Sequence, residues 1–124
     1  MRTIKFRAQD IASNKWLYGD LRHHKDDVCI FEQEGNKGEQ VKRDTIGQYT
    51  GMHDKNGKEI YEGDIIRLVT GYKRNHDGTF VEQAKEITVE YDLASFNICS
   101  FALVTDNIEV IGNIHDNPLT PSNP

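Results

Sequence analysis

The sequence predicts a mainly β fold, with an α+β arrangement as the lesser alternative, on three observations. Val and Ile together number 19 of 124 residues against 11 for Leu and Ala, and β-branched side chains lose less rotamer freedom on a pleated strand than in a helix. No stretch of ten residues or more carries the i, i+3, i+4 apolar spacing of a helix face. Short apolar runs alternate with Gly, Asn and Asp turn signals, the grammar of a small barrel or a strongly twisted sheet.

The elements follow in chain order. Ile4, Phe6 and Ala8 alternate with polar residues as in a half-buried strand. Ser13-Asn14 turns the chain into Trp16-Leu17-Tyr18, with Gly19 marking a bend or bulge, so an amino-terminal hairpin is expected. Asp27 to Phe31 reads as a third strand, and Gln40-Val41-Lys42 as its partner. Arg43 to Gly51 is a connector that admits one helical turn capped by Asp44 and becomes a strand near Tyr49. Asn56-Gly57 predicts a hairpin with a type I′ turn, in which both central residues take positive φ.

Ile65 to Val69 is a core strand by composition. Gly71 to Thr79 reads as a polar, mobile loop containing a second turn signal, Asp77-Gly78. Phe80 to Tyr91 is a long strand with Ile87, Val89 and Tyr91 on one face, followed by strands over 96–103 and 108–114. The tail from Asp116 holds all three prolines and is expected to lie on the surface or fray.

The segment Ile46-Gly47-Gln48-Tyr49-Thr50-Gly51-Met52-His53-Asp54-Lys55-Asn56-Gly57-Lys58-Glu59-Ile60-Tyr61-Glu62-Gly63-Asp64-Ile65-Ile66 resembles the signature of the YopX family of phage and prophage proteins. Ile4 to Ala8 with Trp16 to Tyr18, and Glu109 to Pro118, extend the resemblance over nearly the whole chain. His53 stands where lysine is commoner. The resemblance implies an amino-terminal β-rich part beside a carboxy-terminal Src-homology-3-like barrel, and the strand pattern fits that division with a boundary near Ile60, giving residues 1–59, 60–115 and a surface tail, 116–124. It also implies a phage or prophage accessory role with no established activity, and it supplies no catalytic residues.

Charge narrows the partners. The chain carries 15 Lys/Arg and 20 Asp/Glu, a net charge of −5. The acidity lies almost wholly after Thr45, where the net is −6. Nonspecific nucleic-acid binding draws on clustered cations that release counterions, so this balance disfavours it. The local candidates for such contact, which would make the chain a nucleic-acid-binding regulator as the alternative function, are Arg2, Lys5 and Arg7, a cluster that more often forms the solvated face of an edge strand. No apolar run is long enough to span a membrane, and the amino terminus lacks a signal-peptide core. A cytoplasmic location in the bacterial host is therefore expected, with Cys29 and Cys99 as buried free thiols.

Chemistry-bearing patterns are scarce. His23-His24 with Asp26-Asp27 contains metal-ligating side chains, but neighbours on a strand point to opposite faces. His53, His76 and His115 would make a metal or general-base site only by converging in space. Cys29 and Cys99 lack the basic neighbours that activate a thiol. P-loop, nucleophile-elbow, dinucleotide and zinc patterns are absent. No catalytic, cofactor or metal site is assigned, and a non-enzymatic protein is expected. Aromatic residues crowd the second half, where Tyr61 and Tyr72 are the candidates for partner contact. Thin cores and open strand edges point to a homo-oligomer or to another, unidentified protein partner.

Overall fold

The computed structural model describes residues 4–32, 38–92, 95–96 and 107–116. The chain is mainly β and divides into two units, Met1–Gly51 and Met52–Pro124. Its strands are β1 (Phe6–Gln9), β2 (Trp16–His24), β3 (Asp27–Phe31), β4 (Glu39–Gln40), β5 (Gly47–His53), β6 (Glu59–Tyr61), β7 (Asp64–Arg74), β8 (Phe80–Thr88), β9 (Tyr91–Asp92), β10 (Ser95–Phe96) and β11 (Ile108–Asn113).

In the first unit an antiparallel sheet runs β4-β3-β2-β1-β5. The expected amino-terminal hairpin is present, with Ala8 opposite Leu17 and Gln9 opposite Trp16. Its turn is held by the Asp10 side chain, whose carboxylate accepts from the Ala12 N–H and the Ser13 hydroxyl, while Asn14 takes a φ of 63°. Alternation places Ala8, Leu17, Val28, Ile30 and Val41 in one core, with Phe6, Leu21 and Ile46 packed on it. The connector contains a 3-10 turn at Arg43–Thr45, but no side chain caps it. Thr45 stabilises the turn instead: its hydroxyl donates to the Lys42 carbonyl at 2.7 Å and accepts from the Gln9 N–H at 2.9 Å.

The second unit centres on Ile60, Ile66, Leu68, Val89 and Ile108, with Met52, Ile87 and Val110 half-buried around them. Its main sheet is β11-β7-β8, antiparallel throughout. β9 and β10 pair antiparallel as a separate two-stranded sheet. Among the described residues these strands do not close into a barrel. The expected strand over 96–103 falls largely outside the described residues, as do Cys99, Phe101 and the tail beyond Asp116.

Two expectations are corrected by the backbone. The turn at Asn56-Gly57 is not type I′, because only Gly57 takes positive φ, at 82°. The Gly57 N–H instead donates to the Asp54 carbonyl, and the Asp54 N–H to the Lys58 carbonyl, which is a hairpin loop built on an ordinary turn followed by one left-handed glycine. The second correction is that Gly71 to Thr79 is no loop. β7 continues to Arg74 and pairs with β8 through Arg74 opposite Phe80. The loop is confined to Asn75–Thr79 and repeats the first pattern: the Asn75 N–H donates to the Thr79 carbonyl, the Gly78 N–H to the Asn75 carbonyl, and Gly78 has φ 92°.

Candidate functional site

The extension of β7 and β8 beyond the core makes a two-stranded arm. Its register is Val69 opposite Ala84, Gly71 opposite Gln83, Tyr72 opposite Glu82, Lys73 opposite Val81 and Arg74 opposite Phe80, with Thr70 as the extra residue of a bulge. Strand alternation then sorts the side chains. Tyr72, Arg74, Phe80 and Glu82 share the face that continues from Arg67 and Val69. Lys73, Val81, Gln83 and Lys85 continue the face of Leu68 and Ile66, which is the core face.

No part of the arm is buried. Every residue of β8 from Phe80 to Glu86 is exposed, and Tyr72, Phe80 and Val81 are 63%, 66% and 51% exposed. A lone two-stranded ribbon is marginally stable in water, so its order rests on local bonds. Arg67 forms a 2.8 Å ion pair with Glu82, and the Thr70 hydroxyl donates to the Gln83 carbonyl at 3.2 Å. At the tip, Asp77 accepts from both the N–H and the hydroxyl of Thr79, at 2.9 and 2.6 Å. The Thr79 hydroxyl bond, then its N–H bond, hold the Asp77 carboxyl below its ordinary value of 3.8. Gly78 has open space where a Cβ would lie, but its φ of 92° is strained for any other residue. Gly78→Ala is accordingly expected to cost about 1–2 kcal/mol of local order, read as faster amide exchange at Asn75 and Thr79 with no change in the amides of the core.

The residues predicted for partner contact part company. Tyr72 stands on the arm, whereas Tyr61 is 2% exposed, with its hydroxyl donated to Glu59 and its N–H to the Asp64 carboxylate at 2.7 Å. The Tyr61 ring therefore fills the core and offers no surface to a partner. Both tyrosines sit beside polar residues in the sequence, which carries no sign of which one is covered. Phe80 and Val81, the other apolar members of the arm, read from sequence as part of an ordinary strand.

The basic candidates are likewise separated. Arg7 is 4% exposed and its guanidinium lies 4.7 Å from the centre of the Trp16 ring, so it meets no phosphate backbone without leaving that place. Lys5 lies 5.2 Å over the Tyr49 ring and lines a surface groove of about 390 Å³ with Asp20, Arg22, Phe31 and Glu32. Arg22 is held there over Phe31 at 4.3 Å and against Asp20 at 3.0 Å. Both signs of charge meet in this groove, unlike an anion-binding track. Arg2 lies outside the described residues.

Among the described residues no three His, Cys, Asp or Glu side chains come close enough to hold a metal ion. His23, His53 and His76 are exposed or nearly so along their strands and turns, and His115 is half-buried with its N–H on the Asn113 side chain. Cys29 is a half-buried free thiol. No helix among these residues is long and apolar enough to cross a membrane.

The two buried aspartates of the signature segment, Asp54 and Asp64, are structural. Asp54 is buried, and its carboxylate accepts from the N–H groups of Asn56, Lys58 and Val110, each at 2.9 Å. Asp64 is 1% exposed and closes the Tyr61–Asp64 turn. At that turn the Gly63 N–H donates to the Val89 carbonyl, and the Gly63 carbonyl accepts from Ile114. The signature thus ties β6 and β7 to the ends of β8 and β11.

The fold and these placements define a mainly β protein with a structural signature segment and a solvent-exposed β arm. The chain belongs to the YopX family, whose model, described as YopX protein, matches residues 5–120. Among solved structures it is similar to protein EF1440 from Enterococcus faecalis, with 24% identity over 96% of this chain and 98% of that one, and a TM-score of 0.57. That likeness is one of fold. No curated protein matches the chain.

Proposed function

We propose that this protein is a non-enzymatic phage or prophage accessory protein of the bacterial cytoplasm that works by protein–protein contact, its own copies included, through the β7–β8 arm. The observation that carries this reading is the exposure of Tyr72, Phe80 and Val81 on a ribbon that no other element covers among the described residues. Apolar side chains gathered on an uncovered ribbon gain free energy when a partner removes them from water. The same reading includes closure of residues 60–115 into a Src-homology-3-like barrel. It is supported by the length of β7, its bulge at Thr70 and its pairing with β8 on one side and β11 on the other.

The test is the mass of the purified chain by light scattering across a concentration series. The wild-type chain is expected to assemble. The double variant Tyr72→Ser with Phe80→Ser, with an unchanged circular dichroism spectrum, is expected to run as a single chain. Equal masses for the two proteins at every concentration overturn the reading.

A further inference from the structure

The outer edge of β8 has a polarity that its hydrogen bonds define. At the tip the Thr79 carbonyl accepts from Asn75, and at the other end the Val89 N–H donates to Asp64 and the Val89 carbonyl accepts from Gly63. Odd-numbered residues therefore bond β7, and by the alternation of an antiparallel ladder the even-numbered ones, Phe80, Glu82, Ala84 and Glu86, turn their N–H and C=O groups away from it. Among the described residues β8 is the last strand of its sheet. Such an edge is a template for one more strand.

Resting on the protein-contact reading above, we propose that the partner at this edge is a second copy of the same chain, joined by antiparallel pairing of β8 with β8 about a two-fold axis at Gln83. A two-fold interface must be self-complementary, and the sequence of β8 permits this in one long register. Centred on Gln83, Phe80 faces Glu86 of the second copy, Val81 faces Lys85, and Glu82 faces Ala84, so no like charges stand directly opposite. Centring on Glu82 sets that carboxylate against itself. Centring on Ala84 brings Glu82 opposite Glu86, and centring on Lys85 opposes two ammonium groups. Like charges directly opposite destabilise a strand pair.

The Gln83 register also extends both faces of the sheet. On the core face the row becomes Leu68, Lys85, then Val81 of the second copy, which lies along the aliphatic stem of Lys85 and is no longer fully in water. On the other face Phe80 comes to stand between Arg74 of its own chain and Glu86 of the second copy. The two three-stranded sheets join as one of six strands, β11-β7-β8 followed by β8-β7-β11. The arms cease to be lone ribbons, which accounts for apolar residues at positions that the single chain leaves exposed.

The axis makes a sharp test. Gln83 would face its counterpart as a non-hydrogen-bonded pair, with Cα atoms about 4.5 Å apart, inside the range that a disulfide bridges. Gln83→Cys is expected to form a covalent dimer under mild oxidation, with mass spectrometry finding two identical peptides joined through the introduced thiols. Tyr72→Cys, a strand away from the seam, is expected to form none. Ala84→Pro removes an outward N–H while sparing the bonds to β7, and is expected to abolish assembly with the spectrum of the fold retained. If wild-type chains assemble and the Tyr72/Phe80 variant does not, yet Gln83→Cys forms no link through its introduced thiols and Ala84→Pro still assembles, the Gln83 seam is overturned and the arm reading stands. If no variant or wild-type chain assembles at any concentration, both fall.

Discussion

Asp54→Ala is expected to destabilise the protein by about 3–4 kcal/mol, the larger of two effects that substitution should reveal. The carboxylate serves three N–H donors at once, two within its own hairpin and one, Val110, on β11. Alanine leaves all three without that acceptor, and hydrogen bonds to a charged group contribute more than neutral ones. Burial acts to raise the Asp54 carboxyl, but the bonds from Val110, Lys58 and Asn56, with the nearby Lys58 charge, hold it below 3.8. The stabilisation is therefore complete above that value and is lost as pH falls through the lower folded value. Urea unfolding should find the full difference between wild type and variant at neutral pH, and a shrinking one below 3.8. A variant as stable as wild type at neutral pH would show that the clasp contributes nothing.

Gly19→Ala is expected to cost about 2–4 kcal/mol. A Cβ built at Gly19 would stand 2.3 Å from the Phe31 carbonyl oxygen and 2.9 Å from the Glu32 Cα. Both are backbone atoms, so relief requires β2 and β3 to separate where Asp20 pairs with Phe31. Gly71→Ala provides the contrast. The nearest atom to its Cβ is the Gln83 side-chain oxygen, at 3.9 Å, and a change within about 0.5 kcal/mol is expected. Thermal unfolding of the two variants side by side would decide it, since equal melting temperatures would remove the steric account.

Sequence patterns succeeded where burial is one-sided. β1 alternates apolar with polar because one face meets a core, and it is legible from that period of two, while β2, β3 and β11 are legible as short apolar runs set between turn signals. The arm was invisible for the complementary reason. A ribbon exposed on both faces has no such period to display, so Tyr72, Lys73 and Arg74 read as loop residues. Only the Asp77-Gly78 turn betrayed that a hairpin was present. The role of Asp54 was hidden by distance along the chain, since its bond to Val110 spans 56 residues. Arg7 looked like a surface cation because its cover, the Trp16 ring, comes from the neighbouring strand. Turns are set by local chemistry, whereas the cover of a given side chain is decided by strands far away in the chain.

The bulge at Thr70 carries an evolutionary consequence. Val69 pairs with Ala84 and Gly71 with Gln83, so Thr70 is a supernumerary residue, and loss of its codon would leave every other facing pair in register. What would change is the bend and twist that a bulge imposes on its strand. A lineage could thus re-point the arm by insertion or deletion of a single codon while keeping the same side chains on the same faces. Direction and recognition would then vary as separate traits.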